Sequence, residues 1–396
     1  MLSQFSFGTY RVSNQVREHK EAILYAIQKG IKDFDTSSNY MYGDAERLIG
    51  EVLKDNNRED FTIVSKGGYI QGPNMQRIKD GFVVEDLVKY DSNCFHSIHK
   101  DFLSDQIENS LLRLDTDYID VYLLHNPEYY LMKEIKANSS KDEITNHQNI
   151  MQNRIKEAFI LLEQKVKEGK IKAYGISSNS FSKKDNDIHF LEYKNLLTYA
   201  QEASKIALNK KHHLKILQLP MNLLEIDGIK CGEWAHQNNL DIHINRPLNA
   251  FSTNGMARLA DYKLCEEYDR LKEELINLNN TPLNNVITQI ISVMGQFRWA
   301  GDVDDTIDYQ VIPYINKNLS LTKEEILKLN DFLKCYKTNV KHNISLQIKK
   351  NLEKEGFIIN ESIDKVAIDF LKNKKFVTKI LIGMRTKEYV NRVLNY

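Results

Sequence analysis

Four side chains of complementary chemistry stand where apolar runs end. The run Ile31 to Asp35 ends on a carboxylate and continues Thr36-Ser37-Ser38-Asn39-Tyr40; Phe61 to Ser65 is followed by Lys66, and Tyr118 to Leu124 by His125. Each residue alone has an ordinary structural explanation: Asp35 a helix cap, Lys66 a solvated strand terminus, His125 a hydrogen-bonded core residue, Tyr40 one of 20 tyrosines. Together they make a working acid. A phenol titrates near ~10 unaided, and a close ammonium favours its phenolate, so Lys66 is expected to lower the Tyr40 pKa toward neutrality. Asp35 would hold the ammonium in place. His125 would hydrogen-bond the same carbonyl oxygen that Tyr40 protonates, polarising the carbon for attack by a hydride.

Such a constellation needs elements that deliver their ends to one rim. The first half of the chain repeats a unit of amphipathic helix, short polar or Gly break, and apolar strand, which predicts a parallel sheet. Ile23, Ala26 and Ile27 share one face of a helix from Glu18 to Lys29, and Gly30 stops it. Stripes Ile107, Leu111, Leu114 and Ile155, Phe159, Leu162, Val166 precede two further strands. The predicted strands are Phe5-Gly8, Ile31-Asp35, Phe61-Ser65, Tyr118-Leu124, Ile171-Ile176, Leu214-Leu219, Leu240-Asn245 and Val377-Ile382. Eight parallel strands alternating with helices point to an α/β fold, a closed (β/α)8 TIM barrel. The doubly wound alternative lacks its G-x-G-x-x-G run.

Three connections exceed ordinary loop lengths: Gly67 to Lys100, Asn126 to about Ile150, and Ala250 to about Asn360, between strands seven and eight. The last has helical patterning, with Val286, Ile287, Ile290, Ile291 and Met294 on one face, and reads as a helical excursion of 250–360 within a single barrel domain of 1–396. All three follow strands, which assigns them to the rim where they would shape a substrate pocket or lid.

Composition narrows the partners. Lys plus Arg and Asp plus Glu each total 54, a net charge of zero that lacks the basic footprint of a nucleic-acid binder. No uncharged apolar run approaches the roughly 20 residues that span a bilayer. The opening Met-Leu-Ser-Gln-Phe-Ser-Phe-Gly has no basic segment followed by an apolar stretch, so it is expected to enter the fold directly. Cys94, Cys231, Cys265 and Cys335 form no C-x-x-C pair, which argues against a zinc site and a disulfide framework. A reducing cytoplasm is the expected location, with no metal, membrane or nucleic acid involved and a protein partner left open.

The segment Ala26-Ile27-Gln28-Lys29-Gly30-Ile31-Lys32-Asp33-Phe34-Asp35-Thr36-Ser37-Ser38-Asn39-Tyr40, continuing Gly43-Asp44-Ala45-Glu46-Arg47-Leu48-Ile49-Gly50, resembles the first signature of the aldo-keto reductases, and Ser110 to His125 resembles the second. The resemblance implies a catalytic tetrad of Asp35, Tyr40, Lys66 and His125, and NADP bound without a Rossmann fold. It assigns cofactor contacts to Thr9 and Asp35, to Ser177 and Ser178 after strand five (Asn179 being the alternative to Ser178), and to Gln218 on strand six. Where the family shows an aromatic ring, a Ser and then Pro-Leu-Gly, this chain reads Asn245-Arg246-Pro247-Leu248-Asn249, so the Arg246 guanidinium would replace the stacking ring. Gly383, Arg385 and Lys387 open the last helix, the place given to the adenosine 2'-phosphate, which implies a preference for NADPH over NADH. The adenine-contacting positions are not clearly reproduced.

These readings imply an oxidoreductase acting on a small aldehyde, ketone or sugar. Two rivals stand beside it: a cofactor-binding regulatory protein with little turnover, as in the potassium-channel β subunits that resemble this family, and a barrel aldolase or isomerase using Lys66 as a Schiff-base amine. Tyr69, Tyr129 and Tyr130 in the rim loops are candidates for stacking on a substrate ring.

Overall fold

A computed structural model describes residues 2–252, 255–278 and 280–396. Eight parallel strands close a barrel: β1 (Phe5–Gly8), β2 (Asp33–Asp35), β3 (Thr62–Gly67), β4 (Ile119–His125), β5 (Ile171–Ser177), β6 (Leu214–Pro220), β7 (Asp241–Asn245) and β8 (Val377–Gly383). Each strand pairs with its sequence neighbours, and β8 closes the ring against β1 through Phe5 opposite Ile380 and Gly8 opposite Gly383. The predicted strands are therefore the observed ones, with ends moved by a residue or two. Helices α1 (Arg17–Gln28), α2 (Asp44–Leu53), α3 (Lys100–Leu114), α4 (Lys141–Lys167), α5 (Leu196–Ile206), α6 (Ile229–Gln237), α7 (Ile363–Lys372) and α8 (Lys387–Leu394) alternate with them.

Local chemistry explains where these elements stop and start. Helix α1 buries Ala22, Ile23 and Ala26 and ends at Gly30, whose φ of 93° is left-handed and favours glycine. Helix α4 begins in a capping box: Ser140 Oγ accepts from Glu143 N at 3.2 Å, and Ser140 N donates to Glu143 Oε2 at 2.7 Å. Inside the barrel, Val64, Val121, Leu123, Ala173 and Ile216 form one buried apolar cluster. A side chain on Gly175 would collide with the Ile216 carbonyl, so close strand approach also requires that glycine.

Two of the long connections carry structure. Residues 67–100 contain a helix, Pro73–Lys79, and a three-stranded antiparallel sheet of Tyr69–Ile70, Phe95–His96 and Val88–Lys89; after β4 a short helix covers Tyr129–Glu134. The chain divides into two compact units. The barrel unit comprises 1–221, 226–247 and 371–396; the second comprises 222–225 and 248–370.

The second unit holds a hairpin of Asn249–Ser252 with Gly255–Arg258 and a 32-residue helix, Lys323–Lys354, that begins in its own capping box of Thr322 and Glu325. Its buried face includes Leu329, Phe332, Leu333, Tyr336 and Val340. The apolar helix expected near Val286 spans Thr281–Ser292, and its buried residues are Leu283, Ile287 and Ile290. Val286 and Ile291 flank that face half-buried, and Met294 lies beyond the end. Cys265 and Cys335 are joined in a disulfide, contrary to the expectation of four free thiols. The partners are 70 residues apart, so only the folding of this unit brings them together. Cys94 and Cys231 are free and buried. No described helix is long and apolar enough to cross a membrane.

Candidate active site

Strand register assembles the site in rows. Gly8 lies opposite Asp35, Lys66 opposite Leu123, and His125, Ser177, Gln218 and His243 follow one another across β4 to β7. Asp35, Lys66 and His125 thus come from three strand exits at the barrel's carboxyl end. Tyr40 follows on a short turn in which Met41 (φ 46°) and Tyr42 (φ 56°) are both left-handed, a costly conformation for side chains of that size.

The four residues form one cluster. Lys66 Nζ, with 0% of its side chain exposed, donates to Asp35 Oδ1 at 2.6 Å, to the Thr36 carbonyl at 2.8 Å and to Tyr40 Oη at 3.2 Å. An ammonium's three protons are thereby all engaged. The Tyr40 and His125 rings meet edge to face with centroids 5.9 Å apart. Burial alone would discharge Lys66, but Asp35 and then Tyr40 outweigh it and hold the ammonium's pKa above its ordinary value. For Tyr40 the balance runs the other way from the sequence expectation. Burial raises the phenol more than the Lys66 charge lowers it, and Asp35 adds to the rise, so its net pKa lies above the ordinary value. The phenol therefore carries its proton at neutral pH. His125 is held well below its ordinary pKa by burial and then by the charges of Lys66 and His96, and is a neutral imidazole.

The residues assigned to a cofactor fall at neighbouring strand exits. Thr9 Oγ1 donates to the Asp35 carbonyl at 2.9 Å; Gln218 Nε2 donates to Asp35 Oδ2 at 2.7 Å and its Oε1 accepts from Ser177 Oγ at 2.8 Å. Ser178 caps a short 3-10 helix, Asn179–Ser182, by accepting from Ser180 N at 3.0 Å. Arg246 takes a left-handed φ of 52° directly after β7, next to a buried Pro247. Leu248 and Asn249 belong to the second unit, where Asn249 Oδ1 accepts from Arg258 at 2.9 Å and its backbone opens the hairpin. Gly383 ends β8, and Lys387, the first residue of α8, pairs with Glu21 at 3.2 Å. Arg385 is half-buried and, among the described residues, has no ion-pair or hydrogen-bond partner.

A nicotinamide carboxamide both donates and accepts, and it needs partners at these exits. Ser180 Oγ after β5 and Asn245 Oδ1 at the end of β7 are buried polar atoms without a partner among the described residues, and they fit such a group.

Several contributors were not singled out from the sequence. Glu128, 1% exposed and three residues beyond His125, accepts from Ser178 Oγ and from Asn179 N, both at 2.8 Å, so it braces the exit of β5. Burial raises its carboxyl to about 7 despite those hydrogen bonds. An acid directly after Asn-Pro at a strand end was the available signal. Of the tyrosines expected to stack on substrate, Tyr69 is buried against His125 (4.7 Å between centroids) and accepts a hydrogen bond from Asn126, Tyr129 packs on Tyr69 and His96, and Tyr130 bonds His147. Tyr69 and Tyr129 thus pack in a row behind His125. Tyr10, exposed to solvent, stands edge-on to Tyr40 with ring centroids 5.3 Å apart.

The sequence profile of the Aldo/keto reductase family matches residues 4–396. The chain belongs to that family. It is 25% identical over 189 residues to the aldo-keto reductase YhdN of Bacillus subtilis, covering 46% of this chain and 45% of that protein. It is 26% identical over 184 residues to the D-threo-aldose 1-dehydrogenase of a Pseudomonas species, covering 45% and 50%. These matches span about half the length of the relatives. The fold is similar to that of the holo form of the aldo-keto reductase AKR11C1 from Bacillus halodurans, at a TM-score of 0.52 and 14% identity over 99% of this chain and 85% of that one.

Proposed function

We propose that this aldo/keto reductase interconverts a carbonyl and an alcohol with a nicotinamide cofactor, NADP(H) in preference to NAD(H). The observation that carries the reading is Lys66 Nζ, fully buried between Asp35 at 2.6 Å and the Tyr40 hydroxyl at 3.2 Å. A reduced nicotinamide, when bound, supplies the hydride. In reduction the carbonyl carbon gains that hydride and its oxygen takes the Tyr40 proton. The phenolate left behind is stabilised by Lys66, whose own charge Asp35 fixes, and is reprotonated from solvent. In oxidation Tyr40 accepts the proton. Ser177, Ser178 and Gln218 would hold the carboxamide, with Thr9 and Glu128 fixing Asp35 and Ser178, and Arg246 and Pro247 would flank the ring. Gly383, Arg385 and Lys387 would receive the adenosine phosphate. A relative named for an aldose favours small aldehydes, ketones or sugars. A spectrophotometric screen of those three classes for cofactor oxidation is expected to find turnover; tight cofactor binding without turnover on any class would sink the reading.

A further inference from the structure

The connection from α5 to β6 lies at the amino end of the barrel, opposite the strand exits that hold the candidate site, and its shape is not one the fold itself needs. Helix α5 ends in a Schellman turn: Leu208 N donates to the Lys205 carbonyl at 3.1 Å and Asn209 N to the Ser204 carbonyl at 2.8 Å. The turn requires a left-handed residue, and Leu208 takes that place with a φ of 60°. Where other described α-helices end on a left-handed residue, it is Gly30, Gly81, Gly169, Gly356, Asn239 or Asp115, types that tolerate the conformation. Leu208 is the aliphatic exception, and it does not bury its side chain: Leu208 is 80% exposed and Ile206 beside it 60%. A backbone strained at a bulky apolar residue that then faces water stabilises nothing within the chain.

The loop is nonetheless held firmly. The buried Glu163 accepts from Asn209 Nδ2 at 2.6 Å and from His213 N at 2.7 Å, its other contact being His213 Nδ1 at 2.8 Å, and Lys167 Nζ donates to the Ala207 carbonyl at 3.1 Å. Between these anchors stand Lys210 and Lys211, exposed like Lys205. None of the three has an ion-pair partner among the described residues, whereas Glu202 and Glu168 on the flanking helices are taken by Lys156 at 3.6 Å and Lys165 at 2.9 Å.

We propose that residues 205–211 form a docking loop for an anionic lipid surface, with Ile206 and Leu208 entering the boundary between headgroups and acyl chains and Lys205, Lys210 and Lys211 meeting the lipid phosphates and carboxylates. Aliphatic tips set among unpaired cations match that boundary, which is apolar on one side and negatively charged on the other. An acidic ligand in solution would satisfy the lysines and leave the aliphatic side chains in water. The contact is small, so attachment is reversible. It departs from the expectation of a protein with no membrane involved, which came from the lack of a spanning run and does not bear on surface contact. Because the loop is at the amino end, attachment leaves Asp35, Tyr40, Lys66 and His125 untouched.

The test pellets the full chain with sucrose-loaded vesicles of phosphatidylcholine containing about 30% phosphatidylserine, and with vesicles of phosphatidylcholine alone. Native protein is expected to partition onto the anionic vesicles at least ~10-fold more strongly than onto the neutral ones. Lys210→Ala/Lys211→Ala should weaken that partition by at least ~10-fold, since each lysine near such a surface is worth about fivefold. Leu208→Gly separates docking from folding. Glycine relieves the left-handed backbone, so the variant should unfold at the same temperature as native or higher, and still lose at least ~5-fold in vesicle binding. Native protein that stays in the supernatant with anionic vesicles overturns the proposal, as does equal pelleting with both compositions or native binding by either variant. Loss of binding only in variants whose unfolding midpoint falls would mark these residues as structural and overturn it too. The readout needs neither cofactor nor turnover, so it stands or falls apart from the oxidoreductase reading.

Discussion

Tyr40, Lys66, Asp35 and His125 could be read from the sequence because each closes or follows an apolar run, and strand register turns run ends into a common rim. Their electrostatic balance was not legible. It depends on how deeply each group is buried, which is why the Tyr40 pKa moves up and not down. At this scale we expect Tyr40→Phe to bind cofactor normally and lose at least ~100-fold in carbonyl reduction, because the acid goes and the cleft stays. Turnover near the native rate would refute that role. Glu128 gives a pH prediction. Its carboxyl ionises near 4.5 when unfolded and about 7 when folded. The stability it contributes is thus full below pH 4.5 and is lost as pH rises to about 7, because only the unfolded chain gains the favourable ionisation in that window. The stability of Glu128→Gln relative to native should therefore increase between pH 5 and pH 8, by on the order of 2 kcal/mol. Urea titrations at the two pH values that give the same difference would show that this acid is not held neutral by burial.

The elements that carry the site were predictable where one signal dominated. The β4 and β5 runs are apolar and bounded, so their limits were found within a residue. The helix at Thr281–Ser292 was placed by its apolar residues, which share one face: Leu283, Ile287 and Ile290 form its buried centre, Val286 and Ile291 lie half-buried at its edges, and Met294 falls past the helix end. At the last helix, two cations were expected to read the adenosine phosphate, and the structure separates them. Lys387 is already paired with Glu21, while Arg385 keeps its guanidinium without a partner among the described residues. A guanidinium binds phosphate through charge-assisted hydrogen bonds of about 1.5 to 3 kcal/mol each. Arg385→Ala should therefore lower the NADPH over NADH ratio of kcat/KM by tenfold or more, and Lys387→Ala by much less. Equal efficiency with both cofactors in the native protein, or a larger effect at Lys387, would place phosphate recognition elsewhere.

At the scale of the whole chain, the barrel was legible because its period repeats, and the 250–360 excursion was legible only as helical sequence of excessive length. Its covalent tie was hidden: Cys265 lies just before one helix and Cys335 within another, 70 residues on, and no local spacing marks them as partners. The bond lies inside a unit with its own buried core, formed by residues such as Leu271, Leu283, Phe332 and Tyr336. Closing a loop of that size removes chain entropy from the unfolded state worth about 4 kcal/mol at 25 °C, a large part of the stability of a small unit. Cys94 and Cys231, by contrast, are buried in the barrel unit as free thiols. Protein unfolded without reductant and treated with a thiol-reactive maleimide should accordingly gain two labels per chain, and four after reduction. Reduction should also lower the unfolding midpoint of the native protein, with Cys265→Ala/Cys335→Ala reproducing the loss and becoming insensitive to reductant. Four labels before reduction would show that the bond does not form where the protein is made, and would restore the reducing environment that the sequence alone suggests.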